Sequence, residues 1–300
     1  METNILLESG TNELEILEFM VGGNYYGINV AKVREILTYH ELTPVPNAHP
    51  CIEGAFLTRG DTLSVINLAK AIGMKEETDP NKNMFLITNF NQLSIGFHVH
   101  EVAGIYRVSW SQIIKPDSTI NSSENSVVTG IVNIEGRLVI ILDFEKIVAE
   151  ITPEAGIQMS ELDRLGERKK NDTPIIYAED SQLLSLQIYD SLTKAGYTKV
   201  LPMNNGLEVW NLLQQYLDAG TLEENCGCII TDIEMPQMDG HRLLKLVKED
   251  PRLRHIPVVI FSSLINDEIR HKGEMLGADA QLSKSELGEF IKSLDKLLQK

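Results

Sequence analysis

The sequence predicts two domains, an all-β first half and an α/β second half, and two observations carry that prediction. From about Leu14 to Ile147, short apolar alternations of period two are broken by turn residues, which reads as strands. From Pro174 onward, apolar runs alternate with stretches of helical spacing, five strand–helix units in a row, which reads as a parallel sheet with helices on both faces. Residues 151–173 lie between them. There the stretch from Glu161 to Asp172 is dense in charge and poor in apolar side chains, the composition of a linker with some helical character. The domains are expected at residues 12–150 and 174–300, joined by the linker 151–173.

In the first half, Leu14–Val21, Thr62–Leu68 and Arg137–Asp143 show the alternation, and Gly22-Gly23 marks a hairpin turn. The half also echoes itself. Gly54 to Gly60 precedes a strand ending Val65-Ile66-Asn67-Leu68, and Gly130 to Gly136 precedes a strand ending Ile140-Ile141-Leu142-Asp143. Upstream, Val33-Arg34-Glu35-Ile36 and Val102-Ala103-Gly104-Ile105 echo more faintly. Two similar five-stranded barrels packed together are the expectation.

Charge and cysteine content narrow the function classes. The net charge of −16 is spread over both halves, and no block of Lys and Arg stands apart. No nucleic-acid partner is therefore expected, because affinity for nucleic acid rests on clustered cations. No apolar run approaches the roughly 18 residues that span a bilayer, so no direct membrane insertion is expected. The start Met1-Glu2-Thr3-Asn4 has no basic region leading into an apolar stretch, so no secretory signal is read. Cys51, Cys226 and Cys228 make no disulfide framework, which fits a reducing cytoplasm. His98 and His100 share a strand face, but two histidines alone make a poor metal site.

In the second half, strands are read at Ile175–Ala178, Lys199–Leu201, Cys228–Thr231, Val258–Phe261 and Ala280–Leu282. Helices are read from Leu183 to Ala195, Gly206 to Leu217, Gly240 to Lys248, Asp267 to Leu276 and Leu287 to Leu298. Functional groups of an open parallel sheet gather outside the carboxyl ends of its strands. Those ends carry Glu179 and Asp180, then Asp232, then Ser262, then Lys284. Crowded carboxylates repel one another, and a hard divalent cation such as Mg²⁺ relieves that conflict while leaving room for phosphate oxygens. Phosphoryl transfer needs positioning and charge neutralisation more than covalent help. Asp232 is then the nucleophile, Glu179 and Asp180 the metal holders, Lys284 the phosphoryl partner and Ser262 a hydrogen-bond donor.

The acidic pair Glu179-Asp180, the run Asp232-Ile233-Glu234-Met235-Pro236-Gln237-Met238-Asp239-Gly240, Ser262, and Lys284 after Gly277-Ala278-Asp279-Ala280 resemble the response-regulator receiver family over all of residues 174–300. The resemblance implies a flavodoxin-like sheet of order 2-1-3-4-5 and Mg²⁺-dependent phosphorylation of Asp232 by a histidine kinase, followed by slow self-dephosphorylation. It also implies a further metal contact from the backbone carbonyl of Glu234. Three positions depart from the family pattern: Gln281 where an aromatic residue is frequent, Ser285 where Pro is frequent, and Ser263 after the switch hydroxyl.

The first half carries its own likeness. Tyr26-Gly27-Ile28-Asn29-Val30-Ala31-Lys32-Val33-Arg34-Glu35-Ile36, then Pro44-Val45-Pro46-Asn47, Ile52-Glu53-Gly54 and Arg59-Gly60, look like the chemotaxis coupling domain known as CheW. The resemblance implies binding to the signalling tip of chemoreceptors and to the kinase CheA, with Val33, Glu35 and Arg59 as the residues to examine for contact. Joined, the two halves resemble the CheV-type family of coupling proteins. That implies a cytoplasmic adaptor at receptor arrays with no external enzymatic product. A phosphate sink localised by its first half, and a regulator of a non-flagellar array, are the competing expectations.

Overall fold

The computed structural model describes residues 12–58, 61–74, 83–90, 93–114, 116, 127–152 and 168–298. Two compact units emerge, Leu14–Gly156 and a second comprising Met1–Glu13 with Ile157–Lys300. The helical character read in residues 161–167 of the linker falls outside the described residues.

Among the described residues the first unit contains ten strands: β1 (Glu13–Val21), β2 (Asn24–Asn29), β3 (Val33–Thr38), β4 (Ile52–Thr58), β5 (Asp61–Asn67), β6 (Met84–Phe90), β7 (Leu93–Val99), β8 (Glu101–Ser109), β9 (Val128–Ile134) and β10 (Arg137–Leu142). They form two five-stranded sheets, β8-β1-β2-β10-β9 and β3-β6-β7-β5-β4. The echo in the sequence has a structural counterpart. Strands β1 to β5 occupy the same places in their sheets as β6 to β10, position for position. The two repeats are exchanged, however. Each sheet takes two strands from one repeat and three from the other, joined by parallel pairs β2–β10 and β5–β7.

Alternation on β1 explains how the sheets pack. Leu14 and Ile16 face one core with Val108, Trp110, Val132 and Val139, while Leu17, Phe19 and Val21 face another. That second core lies between the sheets and contains Ile28, Ile66, Leu86 and Phe97. The helix Phe144–Ile151 closes it, with the Phe144 ring edge-on to Phe97 at 4.8 Å. The β1–β2 hairpin turns at Gly22 and Gly23, both at positive φ, as a two-residue turn that follows strand twist requires. One residue breaks the pattern: Glu18 of β1 is fully buried and is held by Arg137, whose Nε and Nη2 donate to its two oxygens at 3.2 and 3.0 Å.

The second unit is a five-stranded parallel sheet of β11 (Ile175–Ala178), β12 (Val200–Met203), β13 (Cys228–Thr231), β14 (Val258–Ser262) and β15 (Ala280–Ser283). The order is β12-β11-β13-β14-β15, the 2-1-3-4-5 arrangement. The three central strands are buried along their length, which accounts for their unbroken apolar runs. Helices Gly206–Ala219 and Gly240–Glu249 cover one face. Helices Gln182–Lys194 and Leu287–Leu298 cover the other, where Phe261 stacks on Phe290 at 3.9 Å. The chain approaching β11 is tied down before the strand begins. Arg168 donates to the Ala195 carbonyl at 2.7 Å and pairs with Asp295, which also accepts from the Tyr197 hydroxyl at 2.8 Å.

Candidate functional site at the carboxyl ends of the parallel strands

Parallel pairing sets the ends of neighbouring strands level. Ala178 lies opposite Thr231, and Ser262 opposite Ser283. The residues that follow therefore meet on one rim: Glu179 and Asp180 after β11, Asp232 after β13, Ser262 closing β14 and Lys284 after β15. The structure brings all five together, and Glu179, Asp232, Ser262 and Lys284 are buried.

Lys284 is the centre of charge. It is 1 % exposed, and its ammonium lies 2.8 Å from both Asp232 Oδ2 and Glu179 Oε2. Toward Asp232 the contact is an aligned hydrogen bond. Toward Glu179 it is an ion pair of the same length. The other Asp232 oxygen accepts from the Ile233 N–H at 2.6 Å. The Ser262 hydroxyl oxygen accepts from the Leu264 N–H at 3.3 Å.

One carboxylate oxygen from each of Glu179, Asp180 and Asp232 falls within 4.8 Å of the others. Three negative groups thus face one ammonium. Burial holds the Glu179 carboxyl well above its ordinary range; Lys284 opposes that shift, and Asp232 and Asp180 add to it. An oxygen-only donor set and three carboxylates facing one ammonium fit a hard divalent cation with open coordination positions. Glu234, whose carbonyl was read as a further ligand, is half-buried in the loop between Asp232 and Gly240.

That loop folds back tightly. A Cβ at Gly240 would strike the carbonyl oxygen of Asp232, and the Gly240 N–H donates to Ile233 at 2.9 Å. Only glycine permits this approach. Sequence reasoning missed its role, although Asp-Gly at a helix start was the available signal. Asp239 then caps the helix, its Oδ1 accepting from the Arg242 N–H at 2.7 Å.

The candidate residues of the first unit do not form a cluster of this kind. Val33 and Glu35 lie on β3, an edge strand, with a bulge between them. Val33 is half-buried against the core between the sheets, and Glu35 pairs with Arg34 at 2.8 Å. Arg59 lies outside the described residues. The two histidines take separate partners: His98 Nδ1 is 2.6 Å from Glu53 Oε2, and His100 Nδ1 accepts from the Gly22 N–H at 3.0 Å. All three cysteines are free thiols; burial pushes Cys226 up to about 12 and Cys228 higher still. No helix among the described residues is long and apolar enough to cross a membrane.

Comparison with known proteins follows the same division. The CheW-like domain family matches residues 15–152, and the response regulator receiver domain family matches residues 175–295. The chain is 31% identical over 303 residues to the chemotaxis protein CheV3 of Helicobacter pylori, covering 96% of each. It is 28% identical to the chemotaxis protein CheW of Thermotoga maritima, which spans 50% of this chain and 98% of that protein. Among solved structures, the scaffolding protein TtCheW of Thermoanaerobacter tengcongensis aligns over 43% of this chain and 83% of its own, at 22% identity and a TM-score of 0.40.

Proposed function

The chain belongs to the CheV-type chemotaxis proteins, in which a CheW-like coupling domain is joined to a response regulator receiver domain, and on that premise we propose that it couples chemoreceptor signalling tips to the histidine kinase CheA under the control of phosphorylation at Asp232. The observation that carries the control half of the reading is the buried Lys284 ammonium, 2.8 Å from Asp232 and from Glu179 on the rim of the parallel sheet. The coupling half is supported by the CheW-like domain in the same chain. In the first unit, Val33, Glu35 and Arg59 are the surface proposed for receptor contact. The protein carries out only its own phosphotransfer and dephosphorylation and works at receptor arrays in the cytoplasm.

The chemistry follows from the contacts. A carboxylate oxygen of Asp232 attacks the phosphorus of a phosphohistidine; the new P–O bond forms as the P–N bond breaks, and the electron pair leaves with the imidazole. Lys284 already donates to Asp232 and can pass that hydrogen bond to a phosphoryl oxygen, keeping the new charge neutralised in a dry site. The Ser262 hydroxyl hydrogen is available to a second phosphoryl oxygen while its own oxygen keeps the Leu264 N–H. The Ile233 N–H fixes the carboxylate plane. Glu179, Asp180, Asp232 and the Glu234 carbonyl would hold Mg²⁺, which when bound supplies the positive charge that lets three carboxylates and a phosphoryl group share one rim.

Reconstitution of receptor, kinase and this chain tests both halves. Kinase activity is expected to depend on the chain, and Asp232→Asn is expected to remove labelling by phosphorylated kinase and the associated change in kinase output while leaving receptor binding intact. Undiminished labelling of Asp232→Asn would sink the phosphoacceptor assignment. Kinase output indifferent to the chain would sink the coupling assignment and leave a phosphate sink.

A further inference from the structure

Gln281 stands on β15, the edge strand of the parallel sheet, and is 9 % exposed. A buried amide needs partners at both ends, because each loses water on burial. One end has its partner: Nε2 donates to the carbonyl of Arg270, on the helix Asp267–Leu276, at 2.7 Å. Arg270 returns the link, its Nη1 donating to the Gln281 carbonyl at 3.3 Å. The other end, Oε1, is buried with no donor.

The amide lies directly on Gly273. A Cβ at that position would overlap Oε1 and stand 2.5 Å from Cδ. A glycine inside a ten-residue helix weakens the helix relative to alanine, and a half-satisfied buried amide weakens the sheet edge. Each is unfavourable alone. Together they make a keyed fit, in which the missing side chain of one residue is the slot for the other.

This fit sits close to the site. Gln281 lies opposite Ile260 on β14, two residues from Ser262, which lies opposite Ser283. A side chain so near a hydroxyl drawn toward a phosphoryl group would be expected to shift with it unless tied elsewhere. Gln281 is tied elsewhere, to the backbone of a helix. Breaking that tie would leave the buried amide of Gln281 without its one partner.

We infer that Gln281, Arg270 and Gly273 hold the helix Asp267–Leu276 on β15 in both the unphosphorylated and the phosphorylated receiver, so that this helix does not carry the signal out of the domain. Two segments are left to respond: the loop Ile233–Asp239, whose Ile233 N–H is bonded to Asp232 itself at 2.6 Å, and the turn after Ser262, whose Leu264 N–H is bonded to the Ser262 hydroxyl oxygen at 3.3 Å. The inference rests on Asp232 being the phosphoacceptor.

Amide hydrogen exchange on the full chain with Mg²⁺, with and without beryllofluoride as phosphoryl mimic, tests it. Beryllofluoride is expected to alter exchange in the loop Ile233–Asp239 and to leave the helix amides within about twofold of their rates without it. Gln281→Leu is expected to speed exchange of the helix amides about tenfold, the worth of one buried hydrogen bond. Melting supplies a second readout. Gly273→Ala should lower the melting temperature of the wild-type chain and not of Gln281→Ala, because the amide it strikes is then gone. A wild-type helix that responds to beryllofluoride would overturn the inference while leaving the phosphoacceptor reading in place. Unchanged helix exchange in Gln281→Leu, or an equal effect of Gly273→Ala in both backgrounds, would overturn the tie even if beryllofluoride changed nothing anywhere. That last result would count against Asp232 as phosphoacceptor.

Discussion

Lys284 is shared between two buried carboxylates, and Asp180 beside them is half-buried. The metal-free rim therefore carries more negative charge than positive, and binding a divalent cation should be linked to stability. At a concentration of 100 dissociation constants the gain is about 2.7 kcal/mol. Melting of the full chain is expected to rise with millimolar Mg²⁺, and Asp180→Ala is expected to lose most of that rise; an equal rise in both would place the metal elsewhere. His241 makes a second prediction. It is 3 % exposed, its Nε2 has no partner, and burial, with Lys272 adding, pushes its imidazole down to about 3. The folded protein keeps it neutral where the unfolded chain takes up a proton below about pH 6.5. Its contribution to stability is full above that value and is lost as pH falls toward about 3. Urea unfolding at pH 5 should show His241→Leu spared about 2 kcal/mol of the wild-type loss relative to pH 7; identical losses would mean that the imidazole finds a partner on protonation. The five side chains of the rim were legible in the sequence because each directly follows or ends an apolar strand run. The sharing of Lys284 was not, since the register that levels the strand ends is a property of the paired sheet. Glu18 was not legible either, because Arg137, the partner that makes its burial tolerable, lies 119 residues away.

Three helices of the receiver begin at a capping side chain, Asn205, Asp239 or Asn266. Asn205 accepts from the Glu208 N–H at 2.9 Å, and Asn266 from the Ile269 N–H at 2.9 Å. These caps explain why the expected starts at Gly206 and Asp267 coincide with the observed ones. Asn205→Ala is expected to cost about 1 kcal/mol and lower the melting temperature by a few degrees, without altering phosphoryl labelling. A larger loss, or lost labelling, would mean that the cap also supports the rim. The short helix Leu222–Asn225 was not legible, because four residues show no periodicity. In the first unit the strand alternation was legible, but the edges of elements were not always so. The helix Phe144–Ile151 runs to Ile151, and its Phe144 and Ile147 belong to the core between the sheets.

At the scale of the whole chain, the two units are built from contacts of opposite kinds. In the receiver, β11 pairs with β12 and β13, its immediate successors along the chain. In the coupling unit, β2 pairs with β10, where Ile140 meets Tyr26. A fragment of residues 1–156 should fold alone and bind receptor or kinase, since its core is its own. A fragment ending at residue 127 should not, because β2 would lack β10 and the core would lack Phe144 and Ile147; cooperative unfolding of that shorter fragment would contradict the exchanged arrangement of the repeats. The exchange also has a consequence in time. On a ribosome, the hairpin of β1 and β2 emerges long before its partners and must wait for roughly a hundred further residues. Closing so distant a contact costs chain entropy before any packing repays it, whereas the receiver closes its sheet between near neighbours. Refolding of the full chain from urea, where both halves start together, is then expected in two phases, the receiver fast and the coupling unit slow.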